Sequence, residues 1–169
     1  MVGSPRKVLH VDLDAFFCSV EEILDPSLKG KAFVVGGRPD SRGVVASASY
    51  PARRFGVRSA MPTAQAVRRC PGLIVLTPHR KQYSDYSHQI MDVLRASTPV
   101  IEQLSIDEAF LDVTADMRGG EEIARVLQGA IFKQFGLATS WGLLPRSESR
   151  TAWWSFRLVK MRPFSLLFP

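Results

Sequence analysis

Two short acidic clusters, each set in an apolar, strand-like run, constrain this chain more than any other feature. The first is Val11-Asp12-Leu13-Asp14-Ala15-Phe16-Phe17, and the second is Ser105-Ile106-Asp107-Glu108-Ala109-Phe110. Carboxylates are rarely buried without a partner, and a divalent cation is an economical one. Two such clusters meeting in one site could hold two Mg²⁺ ions roughly 3.5–4 Å apart, the arrangement used for in-line phosphoryl transfer. That points to nucleotidyl transfer. The last 29 residues point elsewhere, to a chain that has lost part of its machinery.

Hydrophobic periodicity orders the elements between the clusters. Lys7–Leu13 alternates as a strand, and Asp14 reads as the N-cap of a helix over Ala15–Leu24 that Asp25-Pro26 stops. Short strands follow at Lys31–Gly36 and Val44–Ser49, then a helical turn at Pro51–Phe55. A proline-started helix covers Pro62–Cys70, with a strand at Leu73–Thr77 and a long helix over His79–Ser97. Val100–Ile106 and Ala109–Thr114 are β-rich and predict an antiparallel pair meeting at Asp107-Glu108. Glu121–Phe135 is an amphipathic helix capped by Gly136, and Leu137–Ser140 begins another strand. This order implies an α+β chain, a split βαβ sheet carrying an inserted lobe.

Each chemical reading has a plainer alternative. Asp12 is a ligand or a turn carboxylate; Asp14 is better read as a cap than as a ligand. Neighbours on a flat strand point to opposite faces, so Asp107 and Glu108 serve one site only where the backbone bends. Otherwise they form a solvated hairpin turn. Tyr50 and Arg53 come from one turn and could grip a triphosphate, or form an ordinary basic turn. By composition alone, Phe16-Phe17 is core. The two cysteines, Cys18 and Cys70, read as buried small hydrophobes, and His10, His79 and His88 show no ligand spacing.

Charge needs dividing before it can be used. Of the net +6, residues 1–140 contribute +2 and residues 141–169 contribute +4, so the basic balance says little about the folded body. With no signal peptide evident and no apolar run near 18 residues, the expectation is a cytoplasmic protein without a membrane partner.

Residues 6–140 resemble the N-terminal part of Y-family translesion DNA polymerases of the DNA polymerase IV type. The likeness is carried by residues 11–17, Val-Glu-Glu at 20–22, Pro-Ser-Leu-Lys-Gly-Lys at 26–31, Ala-Ser-Tyr-Pro-Ala-Arg-Arg-Phe-Gly-Val at 48–57, Met-Pro at 61–62 and Ser-Ile-Asp-Glu-Ala-Phe-Leu-Asp at 105–112. The resemblance implies a ferredoxin-like palm over residues 1–23 and 79–140 with a fingers lobe at 24–78. Asp12, Asp107 and Glu108, with the Leu13 carbonyl, would hold two Mg²⁺, and Asp107 and Glu108 would be the catalytic pair. Phe16, Phe17, Tyr50 and Arg53 would bind nucleotide, with Phe17 the steric gate against a ribose 2′-hydroxyl. The implied partners are primer–template DNA and a deoxynucleoside triphosphate, with a weak grip on DNA in this chain.

The likeness stops near Ser140. The family continues with a Val-Gly-Ile-Ala-Ser-like strand and a lysine-bearing helix, then a thumb and a little finger. Here the chain reads Trp141-Gly142-Leu143-Leu144-Pro145, and its three tryptophans (Trp141, Trp153, Trp154) all follow Ser140. The expectation is a truncated chain with a non-family tail over 141–169, read out of frame, whose sheet has lost its last strands. A one-nucleotide shift of permissive codons over Trp141–Pro145 can encode the missing strand sequence, and the same shift over Ser149–Phe156 can encode Lys-Pro-Asp-Gly before a valine run. An inactive palm-and-fingers remnant that binds nucleotide or a partner is the second reading. A nucleotide cyclase is the third; its signature is absent, and Gly119-Gly120-Glu121-Glu122 is a chance near-match opening a surface helix.

Overall fold

The computed structural model describes residues 6–143. Its described residues divide into two compact units, 6–14 with 87–143, and 15–86.

In the first unit, β1 (Val8–Leu13) lies between β6 (Glu108–Asp112) and β7 (Thr139–Leu143), with β5 (Ile101–Gln103) outside β6. All three pairings are antiparallel. With α5 (Gly120–Phe135) between β6 and β7, and the second part of α4 (Arg80–Arg95) before β5, this is the split βαβ order. Alternation decides what faces the core. Leu9, Val11 and Leu13 are buried on one face of β1, as are Ala109 and Leu111 of β6. The i, i+4, i+8 stripe Ile123, Leu127 and Ile131 of α5 is buried as well. Gly136 ends α5 in the left-handed conformation, at φ 70°.

In the second unit, β2 (Phe33–Gly36) pairs antiparallel with β3 (Val45–Ala48) and parallel with β4 (Ile74–Leu76). α1 (Phe16–Leu24) packs on β2 and β3. That packing puts the first break between compact units at 14/15, and the second falls within α4 at 86/87, whereas the sequence reading puts its palm and fingers breaks at 23/24 and 78/79. The core here is Val34, Val45, Ala48, Ala52, Val57, Met61, Ala66 and Cys70, joined by α2 (Tyr50–Arg54) and α3 (Thr63–Arg69). Both cysteines are free and buried. Burial pushes the Cys18 thiol up to about 11, against hydrogen bonds with Ser47 and the Val35 backbone. No described helix is long and apolar enough to cross a membrane.

Two local expectations need correction. Asp14 does not cap α1: the cap position is Ala15, in the left-handed conformation with no side-chain cap. The Asp14 carboxylate instead accepts a hydrogen bond from Ser140 Oγ at 2.7 Å. Nor does the sheet lose its last strand at Ser140. β7 continues to Leu143, with Trp141 opposite Val11 and Leu143 opposite Leu9. Trp141 is 1% exposed, and its indole Nε1–H donates to Thr139 Oγ1 at 2.8 Å. The rest of the expected tail, 144–169, lies outside the described residues.

Trp141 therefore fills core space beside Val11. Trp141→Ala is expected to cost about 3–5 kcal/mol, the range for emptying a large buried aromatic site. Urea unfolding of the two proteins measures it, and a change within about 0.5 kcal/mol, the size of an ordinary surface substitution, would contradict the placement.

Candidate active site: a carboxylate pair on the sheet face

The face of the first unit's sheet opposite its core carries the acidic clusters. Asp12 is directly opposite Glu108 across β1 and β6, and opposite Ser140 across β1 and β7. One pair further along, His10 faces Phe110, ring centroids 4.7 Å apart, with Gly142 on its other side. Both carboxylates are half-buried. Like charges directly opposite in a sheet destabilise it, so this pairing favours a cation. Burial lowers the pKa of His10, and the negative charge of Glu108 partly opposes that shift.

Asp107 is not part of the strand. Residues 105–107 form a bend before β6, which resolves the parity problem posed by two adjacent acidic residues. Several bonds fix this bend. Ser105 Oγ donates to Asp107 Oδ1 at 2.6 Å and accepts from the Asp107 amide at 3.3 Å. The Leu13 amide donates to the Asp107 carbonyl at 3.0 Å, tying the bend to the end of β1. Buried Ser87 donates from Oγ to the Ile106 carbonyl at 2.5 Å. Neither serine was singled out for this role by sequence reasoning; the Ser-x-Asp spacing of a local side-chain turn was the available signal.

The donors are hard oxygens, the type that suits Mg²⁺. Among the described residues, no three His, Cys, Asp or Glu side chains converge closely enough to hold a metal. Asp12, Leu13, Asp107 and Glu108 are thus brought together by backbone pairing, and their side chains are not closed on one point. Carboxylates repel one another, and a cation is what draws them together. The donor set and its backbone frame fit the group.

The other expected residues belong to the second unit. Tyr50 starts α2 and Arg53 lies one turn later, so both share a helix face. The guanidinium sits 5.2 Å from the Tyr50 ring centroid, and Arg53 Nε donates to the Ala48 carbonyl at 2.9 Å. Ser49 holds this turn. Its Oγ accepts from the Ala52 and Phe33 amides and donates to the Lys31 carbonyl. Phe17 is partly exposed, whereas Phe16 is 2% exposed. A nucleotide contact from Phe16 has to go through its backbone, because its side chain is core.

An inserted-lobe split βαβ fold with carboxylates paired on the open sheet face is the palm-and-fingers fold of a Y-family polymerase. The chain belongs to the impB/mucB/samB family, which it matches over residues 11–146. It is 45% identical over 145 residues to a DNA polymerase IV of Listeria innocua, a match covering 84% of this chain and 41% of that one. It is 49% identical over 143 residues to a DNA polymerase IV of Alkalilimnicola ehrlichii, covering 83% and 40%. DinB from Sulfolobus solfataricus superposes with a TM-score of 0.77 at 38% identity, covering 82% of this chain and 42% of that one. An insertion ternary complex of Dbh DNA polymerase gives the same values. The chain spans about two fifths of the length of these curated relatives.

Ser105→Ala removes one side chain that both donates to Asp107 and accepts from its amide. The expected cost is about 0.5–1.5 kcal/mol, that of an ordinary hydrogen bond, in thermal unfolding. Unchanged stability would mean that Ser105 does not hold the bend.

Proposed function

We propose that this chain carries the nucleotidyl-transfer site of a template-directed, translesion-type DNA polymerase. The observation that carries this reading is Asp12 opposite Glu108 on the open face, with Asp107 bonded through its carbonyl to the end of the same strand. In this reading Asp12, Asp107 and Glu108, with the Leu13 carbonyl, hold two Mg²⁺ ions. Bound there, the ions would supply the Lewis acidity that activates a primer 3′-hydroxyl and steadies charge on the α-phosphate and departing pyrophosphate.

The remaining roles follow from side-chain chemistry. Arg53 offers a planar fork suited to phosphate oxygens, and the Tyr50 hydroxyl adds a donor. Phe17 is the steric gate, its ring occupying the space a ribose 2′-hydroxyl would need. The palm spans residues 1–23 and 79–140 and the fingers 24–78. The partners are primer–template DNA and a deoxynucleoside triphosphate. Affinity for DNA depends steeply on the number of phosphates neutralised. In this reading the 169 residues taken alone grip DNA weakly.

Two measurements test this. Mg²⁺ at a hundred times its dissociation constant should stabilise the protein by about 2.7 kcal/mol, and Asp12→Asn should remove most of that gain. Equal response of both proteins to the cation would remove Asp12 from the metal site. For the reaction, the 169-residue protein should show no processive extension at nanomolar primer–template. It should add single nucleotides slowly at micromolar primer–template, and Asp107→Asn should abolish that. Wild type and Asp107→Asn behaving alike in every nucleotidyl-transfer assay would favour a nucleotide- or partner-binding remnant.

A further inference from the structure

In the second unit a carboxylate is buried beneath the proposed gate. Glu21 lies on α1 one turn beyond Phe17 and is 3% exposed. A buried carboxylate needs donors, and Glu21 has two. The Tyr83 hydroxyl donates to Glu21 Oε1 in a short hydrogen bond. His79 Nδ1 lies 2.8 Å and 3.1 Å from the two oxygens. Tyr83 is itself 1% exposed, so its hydroxyl has no access to solvent as an alternative partner.

The Tyr83 ring is held at its hydroxyl end by Glu21 and laid flat on Phe17, with ring centroids 4.3 Å apart and planes 13° apart. Phe16 packs against both rings, tilted, at 5.8 Å from Phe17 and 6.4 Å from Tyr83. Phe17 has no polar atom of its own, so its rotamer depends on what it packs against. A steric filter discriminates only as well as its wall is fixed, since a small displacement of a positioning group costs much of its effect.

We propose that Glu21 is a positioning residue for sugar discrimination. It anchors the Tyr83 hydroxyl, and Tyr83 in turn braces the Phe17 ring that faces the nucleotide sugar. His79 supplies the second donor that lets the carboxylate stay buried. The discrimination part rests on the reading of Phe17 as the gate; the bracing of Phe17 by Glu21 does not.

The test uses the full 169-residue protein with two readouts. The first is NMR of the aromatic side chains, where the stack appears as Phe17–Tyr83 cross-peaks and upfield ring-current shifts on Phe17. Glu21→Ala should lose both, with the protein still folded as judged by unchanged methyl signals from Met61 and Ala66 in that unit's core. Glu21→Gln should keep them, because its amide oxygen accepts from Tyr83 and His79 can move its proton to Nε2. Persistence of the stack in Glu21→Ala overturns the proposal, and so does its loss in Glu21→Gln. The second readout is binding of dATP against ATP in Mg²⁺. Glu21→Ala should lower the preference for the deoxynucleotide by roughly tenfold, the scale on which one small group is discriminated in an apolar pocket. Glu21→Gln should largely restore it. If Phe17→Ala leaves the preference unchanged, the gate reading fails while the ring readout still decides the bracing. If Phe17→Ala abolishes the preference but Glu21→Ala does not alter it, the role of Glu21 in discrimination fails alone.

Discussion

The first unit depends on β1 being bonded along both edges. β6 and β7 pair with it antiparallel, and the register set by those pairs places core and chemistry together. In one register, Leu9, Val11 and Leu13 face inward while His10 and Asp12 face the open side. A slip of one residue would turn Asp12 into the core beside Trp141 and expose three aliphatic side chains. Burying an unpaired carboxylate there costs more than any surface contact returns. The packing that stabilises the sheet is therefore the same constraint that holds Asp12 against Glu108. Their mutual repulsion is tolerated because the opposite face of each strand is deeply buried.

The second unit solves a different problem with few residues. Its strands are only three or four residues long, too short to specify the α2 turn by sheet bonding alone. Ser49 supplies the missing bonds by joining the start of β2, the end of β3 and the first turn of α2 through one hydroxyl. Glu21 does similar work for α1 and the residues around the start of α4. Each is a buried polar side chain with its bonding satisfied, and such groups fix geometry more sharply than apolar contacts do.

Much of this was legible in the sequence. Alternation located β1, apolar spacing located α5, and Gly136 marked a helix end, because each is a local signal. The Asp107-Glu108 adjacency even announced a bend. What local pattern could not supply was the partner of a polar side chain distant in sequence. Asp14 looks like a cap because capping is local, yet its hydrogen bond comes from Ser140, 126 residues away. Glu21 entered only as part of the Val-Glu-Glu stretch of the resemblance, yet Tyr83 and His79 close over it from α4 and the residue before it. Phe16 and Phe17 are equivalent in composition, and helical geometry alone separates the buried ring from the partly exposed one. The break between compact units at 14/15 is likewise non-local, since α1 follows β1 in sequence but packs on β2 and β3.

Trp141 shows that a compositional break need not end a strand. A tryptophan cluster after Ser140 suggested foreign sequence, and the resemblance called for Val-Gly-Ile at this point. Trp141-Gly142-Leu143 meets the same strand requirement. An apolar residue faces the core opposite Val11, a glycine sits beside His10 on the open face, and an aliphatic residue pairs with Leu9. The indole is larger than valine, and it lies in a row with Val11 and the small Ala109. Its one polar atom is bonded to Thr139 in the same strand. The family match reaching residue 146 agrees with this placement. A departure from the family's pattern thus begins beyond the end of β7, and the carboxylate-bearing sheet keeps all four of its strands.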